Sequence, residues 1–273
     1  MAQPSGATSA ELHRVSCAAP TACTAVGTWT RRPDAVLSST EPGGEPLAER
    51  WDGRAWTPQD VPVPTGSRGS HLDGLACPAP TACTAVGATL DPDPTGNAEH
   101  AYATTWDGNR WTTQQVDEPA GATSTLLTAL SCPSTTGCTA IGFTVTGPNL
   151  AALTETSNGT GWHQLTPATT NGPTAALTDI SCAAPASCLG VGSTATDRHT
   201  RTAAELLNTA ARTADTPLDA PGTQTSYFTA VSCSRPADCT AVGTALPSTT
   251  IAMAQHWDGH HWTQQPLPMP AAP

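Results

Sequence analysis

The sequence contains the same pair of cysteines five times, and this repeat limits the fold more than any other feature. Two cysteines lie six positions apart in "SCAAPTACTAVG" at residues 16–27. Similar strings follow as "ACPAPTACTAVG", "SCPSTTGCTAIG", "SCAAPASCLGVG" and "SCSRPADCTAVG". The first cysteine of each string is at position 17, 77, 132, 182 or 233, and all ten cysteines of the chain belong to the pattern. The chain is therefore built of five repeats.

Each repeat is predicted to form two β-hairpins. An apolar strand such as "ELHRVSC" ends at the first cysteine, and a second strand such as "CTAVGT" begins at the second cysteine. Three repeats then end in a W-D-G-x-x-W string: "ERWDGRAWTPQ", "TTWDGNRWTTQ" and "QHWDGHHWTQQ". Asp-Gly is a strong hairpin signal, because both turn residues must accept a positive φ. The sequence thus predicts four antiparallel strands, A to D, in every repeat.

Five four-stranded repeats predict an all-β chain folded as a five-bladed β-propeller. A β-solenoid fits less well because its repeats are usually shorter, and stacked sandwiches would not repeat five times. We expect a single domain over residues 1–273. Its blades are expected at residues 8–64, 65–120, 121–170, 171–221 and 222–273.

The cysteine spacing predicts one disulfide within each blade. Facing residues of antiparallel strands lie roughly 4.5–5.5 Å apart at Cα, which is within disulfide reach. The expected pairs are Cys17–Cys23, Cys77–Cys83, Cys132–Cys138, Cys182–Cys188 and Cys233–Cys239. Zinc is the alternative, but zinc ligand pairs are usually closer in sequence. Five disulfides predict an oxidising compartment and a secreted protein. The start "MAQPSGATSAEL" does not have the pattern of a signal peptide, so we expect a mature form.

The charge balance argues against several classes of partner. The chain has no lysine, 11 arginines and 22 acidic residues, for a net charge of −11. Nucleic acids and anionic membrane surfaces need clustered cations, so neither is an expected partner. No apolar run approaches the roughly 20 residues of a membrane-spanning helix. We expect a monomer that needs no cofactor.

Six of the eight tryptophans stand in the W-D-G-x-x-W strings, and they allow two interpretations. If Asp-Gly is a two-residue turn, the second ring is diagonal to the first; if the loop has four residues, the rings face each other directly. In both cases the two rings of a pair share one face. The rings can pack between adjacent blades, or they can form aromatic platforms for sugar rings. Repeat three keeps only Trp162, and repeat four has Arg212 at the equivalent position, a loss that a purely structural ring tolerates less readily. The candidate binding pairs are Trp51/Trp56, Trp106/Trp111 and Trp257/Trp262.

The loops between strands B and C are the least regular part of the repeats. Variable loops on a rigid frame usually carry function, so Trp29 in repeat one and His199 in repeat four are further candidate binding residues. In repeat two, oxygen-bearing side chains are spaced as in a calcium loop: Asp91, Asp93, Asn97 and Glu99. Because the EF-hand pattern is absent and two prolines stiffen the segment, a solvated acidic turn is the favoured interpretation and no metal is expected.

Strand A carries titratable residues that break the repeat. Aligned positions hold His13, Asp73 and three threonines, and Arg14 and Asp179 occupy the next aligned position in their own repeats. If the A strands surround a propeller axis, these four side chains converge in a candidate ligand or catalytic pocket. The alternative is an internal salt bridge, for example between Arg14 and Asp179. No Ser-His-Asp spacing, nucleotide loop or zinc motif accompanies them.

The strings "SCAAPTACTAVG" and "WDGRAWT" resemble the repeats of secreted actinobacterial β-propeller proteins, over nearly the whole chain. The five-fold layout also resembles the tachylectin-2-like five-bladed lectins. This second resemblance rests on blade number and tryptophan content, and it implies multivalent sugar binding with one site per blade. Repeats three and four depart from the tryptophan pattern, so five equal sites are not expected.

Three classes of function remain. The first is a secreted, lectin-like module that binds a glycan or another cell-surface ligand. The second is a cofactor-independent enzyme of the lyase, cyclase or glycosidase type, with one small-molecule pocket at the axis. The third is a protein-interaction scaffold, since a propeller fold does not define a function. Repeated sites favour the lectin, and a single pocket favours the enzyme.

Overall fold

The computed structural model describes most of the chain. It describes residues 4–30, 44–90, 98–165, 176–195, 199–208, 212–215, 217–219, 222–246 and 250–267. The chain forms two compact units, Met1–Gln164 and Leu165–Pro273. Repeats one to three lie in the first unit, and repeats four and five lie in the second.

The first unit contains three antiparallel sheets of four strands each. Repeat one forms β1 (Ser9–Ala19), β2 (Ala22–Thr30), β3 (Glu45–Trp51) and β4 (Trp56–Gln59). Repeat two forms β5 (Gly69–Ala79), β6 (Ala82–Leu90), β7 (Glu99–Trp106) and β8 (Trp111–Gln114). Repeat three forms β9 (Ser124–Ser131), β10 (Cys138–Thr146), β11 (Asn149–Ser157) and β12 (Trp162–Gln164). In each sheet the strands pair in chain order.

The second unit contains the same arrangement twice. Repeat four forms β13 (Ala176–Ala184), β14 (Ser187–Ala195), β15 (Thr200–Leu207) and β16 (Arg212–Asp215). Repeat five forms β17 (Thr225–Arg235), β18 (Asp238–Leu246), β19 (Ile251–Trp257) and β20 (Trp262–Gln264). A single parallel pair, Thr200 with Thr225, joins the two repeats into one eight-stranded sheet.

A glycine ends the "AVG", "AIG" or "GVG" string of strand B in all five repeats, and it has a steric cause. Strand A shifts register near this glycine, and its backbone presses against strand B there. A Cβ at the glycine would lie 1.8–2.1 Å from a strand A carbonyl oxygen. No side chain fits at that distance, so the close approach requires Gly27, Gly87, Gly142, Gly192 and Gly243.

The five predicted disulfides are confirmed. Each closes the hairpin between strands A and B, with Cα atoms 3.9–4.1 Å apart. The described residues include no free cysteine. Several disulfides in one chain are typical of proteins in oxidising compartments.

Aromatic residues of one sheet pack on the sheet that precedes it in the same unit. Trp106 and Trp111 share a buried cluster with Val26 and Ala48 of repeat one. Trp162 of repeat three packs in the same way with residues of repeat two, and the tryptophans of repeat five with residues of repeat four. Burial of such rings is a major source of stability in a sheet protein with few other aromatic residues.

Repeat one is the first repeat of its unit, so among the described residues of that unit no preceding sheet covers it. Val15 on β1 is 62% exposed. Its equivalents in the repeats that follow another sheet of the same unit, Leu75, Leu130 and Val231, are 8–9% exposed. The described residues contain no helix that is long and apolar enough to span a membrane.

Candidate functional site

The W-D-G-x-x-W strings form four-residue loops that place the two rings directly opposite each other. Trp51 pairs with Trp56, and the equivalent pairs in repeats two and five have the same register. The ring centroids are 5.4–5.8 Å apart. In repeat one, Asp52 Oδ1 accepts hydrogen bonds of 2.8 Å from the amides of Arg54 and Ala55, and Gly53 has a φ of 95°. The two hydrogen bonds explain why the loop needs aspartate, and the positive φ explains why it needs glycine.

Burial separates the tryptophan pairs into two kinds. Trp106, Trp111, Trp257 and Trp262 are 4–7% exposed, which favours the packing interpretation for these rings. Trp51 and Trp56 are half-buried, so only this pair offers an accessible aromatic face. The Arg50 guanidinium also lies 4.9 Å from the Trp106 ring centroid and covers it further.

Two grooves lie at equivalent places in repeats one and two. Groove one has a volume of about 350 Å³ and is lined by the end of β2, the start of β3 and the segment after β4. Groove two has a volume of about 480 Å³ and is lined by the end of β6, the start of β7 and the segment after β8. Because the repeats share register, the same part of the sheet builds both grooves.

Groove one combines an aromatic wall with polar groups. Trp29, one of the residues singled out in the sequence, lines it with only 8% exposure. Glu45 and Gln59 add a carboxylate and an amide, and Asp60 lies exposed at the rim. This mixture of an aromatic ring with a few polar groups is typical of sites for small polar ligands.

Groove two also combines an aromatic residue with amide and carboxylate groups, but its aromatic residue stands at a different aligned position from that of groove one. Its aromatic residue is Tyr102 on β7, which is only 1% exposed and whose hydroxyl donates a hydrogen bond to the Pro62 carbonyl, so the groove is bounded by a packed ring rather than an open aromatic face. Burial raises the pKa of Tyr102 to about 12. Its polar residues include Gln115, exposed at the position equivalent to Asp60, and the neighbouring acids Asp117 and Glu118.

One of these acids has a structural task that recurs. Glu118 accepts hydrogen bonds from the Ala101 amide (3.1 Å) and the Thr125 hydroxyl, and it pairs with His100 at 3.2 Å. In the second unit Asp219 makes the equivalent contacts with Thr202, Ser226 and Arg201. The linker acid thus fastens strand C of one repeat to strand A of the next. Asp117 in turn pairs with His163 of repeat three at 3.0 Å, which leaves Gln115 as the freer group at groove two.

A second cluster of polar groups joins β1 and β5. His13 Nδ1 lies 2.8 Å from Asp73 Oδ1 and 3.1 Å from the Leu72 carbonyl oxygen, and His71 Nε2 lies 3.1 Å from Asp73 Oδ2. Both neighbours of His13 Nδ1 are acceptors, so this nitrogen carries the proton and Nε2 is the basic nitrogen of the neutral ring. Each side chain is 23–24% exposed.

Charge stabilises the ionic forms of this cluster. Burial opposes ionisation, but the hydrogen bonds and charges of His71 and His13 hold the pKa of Asp73 below its ordinary value. Burial likewise opposes protonation of His71, and Asp73 together with the charge of Glu99 holds its pKa above the ordinary value. The structure therefore brings two of the four predicted axis residues together and adds His71, which the sequence analysis missed.

The other two axis candidates have separate contacts. Arg14 is exposed and donates a hydrogen bond of 3.1 Å to the His13 carbonyl oxygen. Asp179, in the second unit, accepts one of 2.8 Å from the Val231 amide. Neither contact tests the prediction that Arg14 and Asp179 line a ligand or catalytic pocket.

Most of the loop candidates fall at the edge of the described chain. Asp91, Asp93 and Asn97 of the calcium candidate lie outside the described residues. Glu99 is half-buried at the start of β7, and its amide donates to the Ser124 hydroxyl at 3.0 Å. His199 is half-buried just before β15 and lines neither groove. Among the described residues no group of three or more His, Cys, Asp or Glu side chains is placed to hold a metal ion.

Comparison with solved structures identifies the sheets as those of β-propeller proteins. The Hadza microbial sialidase Hz136 has 11% identity and a TM-score of 0.52, over 92% of this chain and 51% of that one. A mutant of AofleA from Arthrobotrys oligospora has 11% identity and a TM-score of 0.50, over 88% and 67%. The SapL1 lectin in complex with alpha methyl fucoside has 13% identity and a TM-score of 0.46, over 94% and 80%.

No family model matches the sequence, and no curated protein matches it. At identities of 8–13% the structural similarity shows the fold alone. Solved structures with this fold include a sialidase and a polysaccharide lyase, so the fold does not define the function, which has to be argued from the site.

Proposed function

We propose that the protein is a secreted, lectin-like module that binds glycans in repeated grooves. The observation that supports this function is the pair of equivalent grooves in repeats one and two. Each combines side-chain amides and carboxylates, beside a largely buried aromatic ring, within one shallow volume of 350–480 Å³. Sugar hydroxyls both donate and accept hydrogen bonds, and amides and carboxylates supply the matching partners.

Two weak sites on one chain gain through avidity when the ligand is a surface. Linked sites raise the effective affinity by orders of magnitude without any new contact, provided that both are engaged together. The half-buried rings of Trp51 and Trp56 offer a further aromatic surface on repeat one. A glycan-coated surface is therefore the expected partner rather than a free monosaccharide.

We also propose, as the repeat predicts, that the five sheets are blades of a single propeller domain. Five similar four-stranded repeats and the apolar face that Val15 exposes on repeat one support this arrangement. Small-angle scattering tests it, because a closed ring and two separate units give different distance distributions.

Binding to a glycan array with groove variants tests the proposed function. Asp60→Ala and Gln115→Ala change exposed, equivalent positions at the rims of the two grooves. The loss of one hydrogen bond costs about 0.5–1.5 kcal/mol, so each single variant is expected to bind roughly two- to tenfold more weakly. The double variant is expected to lose far more on a glycan surface.

Matched controls come from the same short strands. Thr57→Ala on β4 and Thr112→Ala on β8 change equivalent exposed residues that line neither groove. They are expected to bind as the wild type does. An array without any bound glycan, or controls as weak as the groove variants, would refute the proposed function.

The second candidate function is an enzyme centred on His13, Asp73 and His71. It rests on one observation: a carboxylate that orients His13 and leaves Nε2 as the basic nitrogen, the arrangement of a general base. The other repeats use threonines here whose hydroxyls bond to backbone carbonyls, so the fold does not require this cluster. If this function is correct, His13→Gln abolishes turnover of a glycan substrate while Asp60→Ala barely changes it.

A further inference from the structure

The cysteine loop of repeat five differs in charge from the other four. It reads "CSRPADC" and holds Arg235 and Asp238, whereas the equivalent positions elsewhere hold only alanine, serine or glycine. On the neighbouring strand β19, His256 occupies a position held by arginine, threonine or leucine in the other repeats. Three departures from the repeat thus occur in one place.

These three side chains contact one another. Asp238 Oδ2 accepts hydrogen bonds from the Ser234 hydroxyl (2.6 Å) and Arg235 Nη2 (3.1 Å), while Oδ1 lies 2.9 Å from His256 Nε2. The Ser234 hydroxyl, His256 and Arg235 together hold the pKa of Asp238 well below its ordinary value. The carboxylate is therefore saturated with donors, and it holds the arginine and the histidine beside each other.

The cluster borders a cavity of about 440 Å³. Its lining is Arg235, Pro236, Ala237, Asp238 and His256. A guanidinium has five N–H donors, and only one contact of Arg235 is made to Asp238, so donors remain for a ligand. The W-D-G-x-x-W loop of repeat five lies against this cavity wall, because a Cβ on Gly259 would be 2.7 Å from the Ala237 Cβ.

We propose that this cluster binds an oxyanion, the carboxylate or sulfate group of an acidic saccharide. The planar fork of an arginine matches two oxygens of such a group, and hydrogen bonds between charged partners are among the strongest in proteins. The net charge of −11 acts on anions only within about a Debye length, roughly 8 Å at physiological salt. Within the cluster Asp238 offsets the charge of Arg235, so the remaining N–H donors of Arg235 provide the attraction. This site is separate from the two grooves and does not depend on their function.

The site is expected to strengthen as the pH falls. The titratable and charged groups around it are Asp238, Arg235 and His256, with Asp258, His260 and His261 on the adjacent loop. A histidine side chain that carries a proton adds positive charge beside the cavity, where Asp238 and Asp258 add negative charge. Asp258 accepts hydrogen bonds from the backbone amides of His260 and His261, which hold its pKa below the ordinary value.

Calorimetric titration with trigalacturonate, with neutral trigalactose as the comparison, tests the proposal at pH 5.5 and pH 8. Wild-type protein is expected to bind trigalacturonate at least threefold more tightly at pH 5.5 than at pH 8. It is not expected to bind trigalactose at this site. Arg235→Ala is expected to weaken trigalacturonate binding at least fivefold. His256→Gln is expected to reduce the pH dependence.

A matched control exists in repeat two. Arg110 is 77% exposed, close to the 79% of Arg235, and also pairs with an aspartate three residues away, but among the described residues no histidine pairs with that aspartate. Arg110→Ala is therefore expected to bind like the wild type. Sodium sulfate at constant ionic strength is expected to compete, because it presents the same oxyanion chemistry. Any of four results would overturn the proposal. These are an equal loss of trigalacturonate affinity in the Arg110 variant, equal binding of trigalactose and trigalacturonate, no competition by sulfate, and no binding of trigalacturonate at pH 5.5.

Discussion

Glu155 on β11 is a carboxyl group without exposed surface. Neither of its carboxyl oxygens has a hydrogen-bond partner among the described residues, and burial together with the nearby charge of Asp117 raises its pKa to about 8. Gln255 occupies the equivalent position in repeat five and exchanges hydrogen bonds with the Leu218 backbone. A neutral side chain is thus the form that this buried position accepts.

The Glu155→Gln variant is expected to change the pH dependence of stability. The pKa of Glu155 is higher in the folded protein than in the unfolded chain, so its protonated form stabilises the fold fully below about pH 4.5, and this stabilisation is lost as the pH rises through about 8. Between these values wild-type stability is expected to fall by up to about 1.4 kcal/mol per pH unit from this group. Glu155→Gln is expected to remove this slope and to be the more stable protein at pH 8.

Urea unfolding at several pH values measures this effect. The reverse substitution, Gln255→Glu in repeat five, is the matched control and is expected to introduce a similar slope. If Glu155→Gln keeps the wild-type slope, the buried carboxyl does not control alkaline stability.

At the scale of the strand pair, the W-D-G-x-x-W hairpins differ in what their rings contact. Trp106 is 7% exposed and packs on repeat one, whereas Trp56 is half-buried. Loss of a buried tryptophan costs about 3–5 kcal/mol through lost burial and the cavity left behind. Trp106→Ala is therefore expected to lose that amount in urea unfolding, and Trp56→Ala roughly half of it. Equal losses would show that the burial of the two hairpins does not differ.

The A–B hairpins are expected to contain no free thiol. Denaturing alkylation of the native protein should label none of the ten cysteines, because each pair closes within its own hairpin. Mass spectrometry detects the label. Several labelled cysteines, or zinc bound in stoichiometric amount, would contradict the pairing.

Hairpin features could be predicted because their causes are local. The cysteine spacing predicted the disulfide pairs, and the Asp-Gly string predicted the turn between strands C and D. Only the structure distinguished a four-residue loop from a two-residue turn. Burial of Trp106 and Trp257 could not be read from their own repeats, because it depends on a neighbouring sheet. The same holds for the grooves, whose rim residues Asp60 and Gln115 stand in irregular segments with no shared residue type.

His71 was missed, although a signal for it existed. Residues two apart on a strand point to the same side, so His71 beside Asp73 was a detectable pair. The alignment of the five A strands hid it, because this position has no common residue type from which His71 departs. Its equivalents are Glu11, Leu126, Ala176 and Tyr227. Comparison of the repeats reveals an unusual residue best at positions where the other repeats share one residue type.

At the scale of the whole molecule, the five disulfides are typical of a chain in an oxidising environment. Each A–B hairpin is closed covalently, which stabilises its local order without a large apolar core. A net charge of −11 disfavours the approach of two copies of the chain. Repeated, rigid sheets with grooves at equivalent places suit a protein that binds a repetitive ligand at several points.

A crystal structure of the protein soaked with its tightest array glycan tests the central claim most directly. Repeated-groove binding predicts sugar density in both grooves, beside Asp60 in the first and Gln115 in the second. Sugar density confined to the side of His13 and Asp73, with both grooves empty at saturating ligand, would contradict the account.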